Sequence, residues 1–305
     1  MTRFLAACAL AAVAGSAAVL AQNAEPRRTA LLIDAVAFDS KGMPVRDLAP
    51  KDVEVWIGHF RVPIETFTAV TPETDERGGR VVVLLLDDVT VPLPLLGRVK
   101  EVARRFVTRL APGDSMAVMT LSGGEMQSTN DPQVLLRAID RYNISAAPVM
   151  RLELLGEDVI KTITQVSRQL SEAGEQRKTI VAIGSGWVLD RPIPPPSVGH
   201  EMVKEWVDAM KAASRANVNY YVLDPGGVAT AGVDGGTSGF ARETGGQAFL
   251  NTNDLNGAAD RIMRESANYY LVGVGSPPVG GTGLRELEVK SLRKGVTVRA
   301  RRAIH

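Results

Sequence analysis

The rhythm of hydrophobic and polar positions changes several times along the chain. Thr29 to Phe38 alternates loosely, Val53-Glu54-Val55-Trp56-Ile57 alternates strictly, and Ile64 to Phe67 is a third short run of strand character. Between them lie Asp39-Ser40-Lys41-Gly42-Met43-Pro44 and Gly58-His59, where Asp, Ser, Gly and Pro supply the dihedrals and local hydrogen bonds of turns. Short strands so closely spaced predict a small β-rich unit over residues 29–70. Thr71 to Gly79, with acidic residues, Pro72 and a Gly pair, reads as a linker.

From Arg80 the texture is different. Val81 to Leu86 is an unbroken apolar run, the pattern of a strand buried on both faces of a parallel sheet. Leu96 to Leu110 has helical periodicity and stops at Ala111-Pro112-Gly113. The alternation then continues with strand Met116 to Leu121, a helix over Pro132 to Arg141 opened by Asp131, and a helix over Val159 to Leu170. Next come strand Lys178 to Ile183, helix Met202 to Arg215 and strand Val218 to Leu223. After the Gly-rich stretch Gly226 to Gly239 follow a short helix and a strand near Ala248-Phe249, helix Asp254 to Ser266 and strand Tyr269 to Val274. This order predicts an α/β domain over residues 80–274, doubly wound around a mostly parallel sheet. Past the linker Gly275 to Gly283, Leu287, Val289, Leu292, Val296 and Val298 alternate with charged residues. That predicts a β-hairpin over 284–304 with Lys294-Gly295 at its turn. A lone hairpin is marginal in water, so the N- and C-terminal β segments are expected to pack together.

The N-terminus adds a compartment. Arg3, the uncharged Ala/Val/Leu-rich run Phe4 to Leu20, and Val19 and Ala21 before Gln22 make the three parts of a secretory signal peptide, residues 1–21. A polar, disordered segment 22–28 follows, and the chain is expected to be exported, periplasmic or secreted. Cys8 is the single cysteine and lies inside that signal. Leu5-Ala6-Ala7-Cys8 spells a lipobox, but one placed ahead of any apolar core. The body therefore has neither disulfides nor thiol chemistry. With 35 Lys+Arg against 34 Asp+Glu there is no basic field for nucleic acid. Beyond Gln22 no apolar run is long enough to span a bilayer.

Taken together, several stretches resemble the von Willebrand factor A-like proteins, in particular the exported bacterial VWFA-related group. The opening resembles that group in Asp39-Ser40-Lys41-Gly42-Met43-Pro44-Val45-Arg46-Asp47-Leu48 and Asp52-Val53-Glu54-Val55. The core does so in Val82 to Asp87, Leu110-Ala111-Pro112-Gly113-Asp114 with Ala117-Val118, and Lys178 to Gly186. The end does so in Tyr269 to Val274, Leu287-Glu288-Val289-Lys290 and Val298-Arg299-Ala300-Arg301-Arg302. The resemblance implies a vWA-like domain and a metal-ion-dependent adhesion site at the carboxyl edge of its sheet. Mg²⁺ there wants six oxygens in octahedral array. The Asp-x-Ser-x-Ser loop of that site is here Asp87-Asp88-Val89-Thr90-Val91, with valines where hydroxyls belong. A one-residue shift to Asp88-x-Thr90-x-Pro92 recovers one hydroxyl. Loop 149–156 has no Thr and carries Arg151, and Ser185 stands where the group has Asp. Metal ligation by Asp87, Asp88 and Thr90 is one reading, with Mg²⁺ as the ion. Asp87 and Asp88 as caps of their own loop is another. A third keeps the crevice at the carboxyl ends of the strands as a metal-free surface.

Other candidates resolve to ordinary roles. His59, His200 and His305 have no metal or triad spacing. Ser185 in Ile183-Gly184-Ser185-Gly186 lacks the first glycine of a nucleophile elbow. The glycines of 226–239 have no P-loop lysine, so they read as a flexible rim loop. Arg293, Lys294, Arg299, Arg301 and Arg302 read as a solvated strand face. Trp187, beside the proline-rich loop 188–198, suits a partner anchor where it is exposed; packing under its own loop is the other reading. The expectation is an exported, non-enzymatic module with no cofactor, bound to an envelope or extracellular protein through loops 87–95, 149–156 and 185–198. Its contact residues would be Asp87, Asp88, Thr90, Arg151, Ser185 and Trp187. Metal-dependent adhesion, or a hydrolase using the same carboxylates, are the alternatives.

Overall fold

The computed structural model describes residues 31–75, 79–144, 152–174, 176–184, 200–230, 237–275 and 285–304. The chain begins with β1 (Leu31–Asp39), β2 (Val53–Ile57), β3 (Phe60–Val62) and β4 (Ile64–Val70). Asp39 closes the first turn by accepting the backbone N–H groups of Lys41 and Met43 at 2.8 and 2.9 Å. Gly42 and Gly58 take the positive φ that each tight turn demands.

The α/β part follows as β5 (Arg80–Leu86), α1 (Leu96–Val107), β6 (Ser115–Thr120), α2 (Pro132–Arg141), α3 (Leu152–Ser171) and β7 (Arg177–Ile183). It continues with α4 (His200–Ala216), β8 (Val218–Leu223), α5 (Thr237–Glu243), β9 (Ala248–Phe249) and α6 (Leu255–Ala267). Its five strands form one sheet in the order β6-β5-β7-β8-β9, parallel throughout. Every residue of β5, β7 and β8 is buried, because helices cover both faces. On one side Val83, Leu85, Ile180 and Tyr220 meet Ile163, Val166, Trp206 and Met210 of α3 and α4. On the other, Val82, Leu84, Val181 and Tyr221 meet Val99, Phe106, Ile139 and Ile262 of α1, α2 and α6. The expected doubly wound α/β fold is thus present. Asp131 caps α2 by accepting the Gln133 N–H, as its sequence position predicts.

The chain ends with β10 (Tyr269–Val274), β11 (Arg285–Ser291), β12 (Val296–Ala300) and β13 (Ala303–Ile304), and here the structure departs from the sequence reading. Tyr269–Val274 was expected with the α/β strands. It lies instead in an antiparallel four-stranded sheet, β12-β1-β10-β4. An apolar run of that length suits either sheet, and burial alone does not choose a partner. The expected hairpin over 284–304 does not form either. β11 joins a second sheet, β13-β11-β2-β3, while β12 pairs with β1. The two sheets face each other across a core that includes Ile33, Val55, Ile57, Val272 and Leu287, so residues 292–295 arch from one sheet to the other.

This β-sandwich docks on the amino-terminal edge of the parallel sheet, through arginines. Arg177, the first residue of β7, is 1% exposed. Its Nε lies 3.9 Å from Asp34 of β1 and 3.2 Å from Asn219 Oδ1, and its guanidinium sits 4.1 Å over the Tyr269 ring. Arg299 reaches Glu265, the Gly245 carbonyl and Gln247, and Arg301 donates to the Ser214 carbonyl at 2.8 Å. Of the basic run of the tail, Arg293, Lys294 and Arg302 are exposed as expected, but Arg299 and Arg301 do not belong to a solvated strand face. Arg301 is 4% exposed and Arg299 is bonded into the junction, because the arch turns β12 toward the α/β part. With that edge covered, the carboxyl edge is left to the loops.

Candidate functional site

At the carboxyl edge the ladder runs past the strands. Asp87 donates its N–H to Ile183 O, Gly184 to Leu223 O, and Asp224 to Phe249 O, at 3.0–3.1 Å. Asp87 is 0% exposed. One carboxylate oxygen accepts the N–H groups of Val89 and Thr90 at 2.9 and 2.7 Å, and the other accepts the Thr90 hydroxyl. Asp88, 7% exposed, turns the opposite way and accepts the Ser122 N–H at 3.0 Å and the Ser122 hydroxyl. Bonds of this kind to N–H and hydroxyl donors offset the cost of burying a carboxylate.

Two partners of this pair escaped the sequence reading. Ser122 follows β6 in Leu121-Ser122-Gly123-Gly124, and its only signal was that position after a strand. Tyr142, at the end of α2, donates its hydroxyl to the Asp87 carbonyl at 2.5 Å. Burial, reinforced by the Asp87 and Asp88 charges, pushes its phenol well above the ordinary value.

Of the six expected contact residues, the structure brings Asp87, Asp88 and Thr90 together. Arg151, Ser185 and Trp187 lie outside the described residues. The described donors do not fit Mg²⁺ as an octahedral set. Val91, where a second hydroxyl belongs, is 2% exposed, Asp87 is turned into its own loop and Asp88 toward Ser122. Among the described residues no group of three His, Cys, Asp or Glu side chains is placed to hold a metal ion.

Around these carboxylates the rim is built from neighbouring loops. Arg98 of α1 donates to Asn253 O and Oδ1 at 3.2 and 3.3 Å. Gly227, at φ +62°, presses against Asn253, leaving no room for a side chain. The start of the Gly-rich stretch is thus packed and not the flexible loop expected, since residues 224–227 are buried and Asp224 accepts the Gly226 N–H. Outward from this rim project Leu93, 66% exposed, and Val228, 55% exposed. They sit on the loops that follow β5 and β8.

The fold is an α/β module, a five-stranded parallel sheet with helices on both faces, joined to a β-sandwich. No protein-family model matches the chain, and no curated protein matches it. Among solved structures it is similar to the manganese-loaded TRAP protein of Plasmodium vivax, at 12% identity and TM-score 0.40, over 77% of this chain and 96% of that one. It is also similar to the PilB minor pilin of Streptococcus sanguinis, at 11% identity and TM-score 0.38, over 61% of each chain. The human COPII-coat protein Sec24c is similar at 9% identity and TM-score 0.33, over 74% of this chain and 44% of that one. Overlaps this low carry no argument about function. No helix among the described residues is long and apolar enough to cross a membrane.

Proposed function

We propose that the chain is an exported, non-catalytic module that binds another envelope or extracellular protein, without a metal, through the carboxyl edge of its parallel sheet. The supporting observation is a contrast within that edge. Its carboxylates are bonded to the chain's own N–H and hydroxyl groups, while Leu93 and Val228 stand in water on the flanking loops. Apolar side chains rimming a crevice at strand ends gain free energy when a partner covers them. Asp87, Asp88 and Thr90 then shape the surface from beneath, and Arg151, Ser185 and Trp187 complete it. Export rests on the signal pattern of residues 1–21.

Calorimetric titration with Mg²⁺, Mn²⁺ and Ca²⁺ should give no binding heat. Pull-down from an envelope fraction should recover the same partner with and without chelator, and the Leu93→Asp/Val228→Asp variant should lose it. A saturable 1:1 metal isotherm abolished by Asp87→Ala would instead establish metal-dependent adhesion and sink this reading.

A further inference from the structure

The sandwich carries a second feature, unrelated to the rim loops. β3, Pro63 and β4 form a run from Phe60 to Val70 that is the last strand of both sheets, β3 beside β2 and β4 beside β10. Among the described residues no strand pairs with the outer side of β4. Such an edge offers a row of backbone donors and acceptors to any extended chain, and monomeric proteins blunt it with Lys, Pro or inward-pointing charges. Here the protection is confined to one end. Pro63 precedes β4, and Glu65 is the extra residue where the β4–β10 register shifts. Thr66-Phe67-Thr68-Ala69-Val70 has neither a charge nor a proline and consists largely of residues that favour strands. Glu65, Thr66, Thr68 and Ala69 are exposed, while Phe67 is held by stacking on Tyr270 at 4.9 Å.

We infer that β4 pairs antiparallel with β4 of a second copy of this chain, joining two four-stranded sheets into one. The sequence of the strand selects this occupant. Turned about a two-fold axis at Phe67, the regular segment Thr66-Phe67-Thr68 is its own complement. Thr66 falls opposite Thr68 of the copy and Phe67 opposite itself, while the extra residue Glu65 sets Ile64 on the Phe67 face and Val70 on the other, so those two do not pair. Thr–Thr and aromatic cross-strand pairs are favourable, and no like charges meet. The pairing ends before Thr71-Pro72 on one side and at the Glu65 bulge on the other. The closed two-fold contact also uses up the edge on both copies.

A single strand pair is a small interface, so the dimer should be read by sedimentation velocity across a concentration series, where the mass doubles as concentration rises. Thr66→Lys/Thr68→Lys sets lysines directly opposite each other across the axis and should leave a monomer. Thr66→Lys/Thr68→Glu sets opposite charges in the same register and should restore the dimer. All these positions are exposed, so unchanged circular dichroism certifies the fold of both variants. In the unaltered chain, amide exchange over Thr66–Val70 should slow as concentration rises. A monomer at every concentration, including one that takes up a strand of a different protein, overturns the inference. So does a dimer that survives the double lysine variant, or one that the Lys/Glu variant fails to restore. The rim-loop reading would stand in each case, because its variants lie on other loops.

Discussion

Arg80 and Asp114 are 4% and 3% exposed, and they are bonded to each other and to their surroundings. Asp114 accepts the Arg80 N–H and Nε–H at 3.0 Å, a second guanidinium N–H, and the Ala111 N–H at 2.9 Å. Arg80 Nη1 donates to the Met263 carbonyl and the Ser266 hydroxyl. Removing one partner of a buried pair strands the other charge, at a cost of about 3–5 kcal/mol. Asp114→Ala should therefore lower the urea midpoint by that equivalent, and Arg80→Met/Asp114→Leu should lower it less. A loss under ~1 kcal/mol would show that water reaches the guanidinium. Little of this pair was readable from sequence. Ala111-Pro112-Gly113-Asp114 announced a helix stop, but its ionic partner lies 34 positions earlier and is chosen by the β5–β6 register. Asp87 was readable as a loop cap, because Val89-Thr90 supplies its donors locally; Asp88, read the same way, turns instead to Ser122. Ser122 was not readable, for it arrives from a neighbouring strand.

At the scale of elements, the sequence yielded the units and missed some of their pairings. The buried run of β5 and the periodicity of α1 are set by their own residues, and both stand within a few residues of expectation. Whether β11 folds back on β12 depends on what each can bury. Leu287 and Val289 face the sandwich core from one sheet, while Ala300 reaches it from the other, and alternation alone cannot say that a turn is an arch. Close approaches are similarly silent. A methyl on Gly246 would lie 1.8 Å from the Tyr220 carbonyl oxygen, so α5 and β9 can sit against β8 only with glycine there. Gly246→Ala should cost about 1–3 kcal/mol, the range for overpacking, seen as a lower melting temperature with weaker protection in β8. Gly97→Ala in α1, where nothing lies within 4 Å, should instead raise it slightly, since alanine favours helix. Equal melting shifts of one sign in both variants would refute the packing account.

At the scale of the whole molecule, the phenol groups tie the cores together. Four of the five tyrosines have their ionisation pushed above the ordinary value, in each case chiefly by burial. They are Tyr142 and Tyr221 beneath α1, α2 and α6, Tyr220 on the opposite face, and Tyr270 in the sandwich. Arg299 pulls Tyr221 partly back. An unfolded tyrosine ionises near pH ~10, whereas these four must wait for a higher pH while folded. The stabilisation they contribute is therefore complete below pH ~10 and is lost as pH rises through their folded values. Because the sandwich and the parallel sheet share the Arg177–Asp34–Tyr269 junction, loss of one core should pull the other with it. Tyrosinate absorbance should rise in one steep step, coincident with loss of the far-ultraviolet circular dichroism signal, above pH ~10. Gradual titration near the ordinary tyrosine value with the spectrum intact would mean that these hydroxyls meet solvent. Two separate steps would mean that the arginine junction does not couple the sandwich to the sheet.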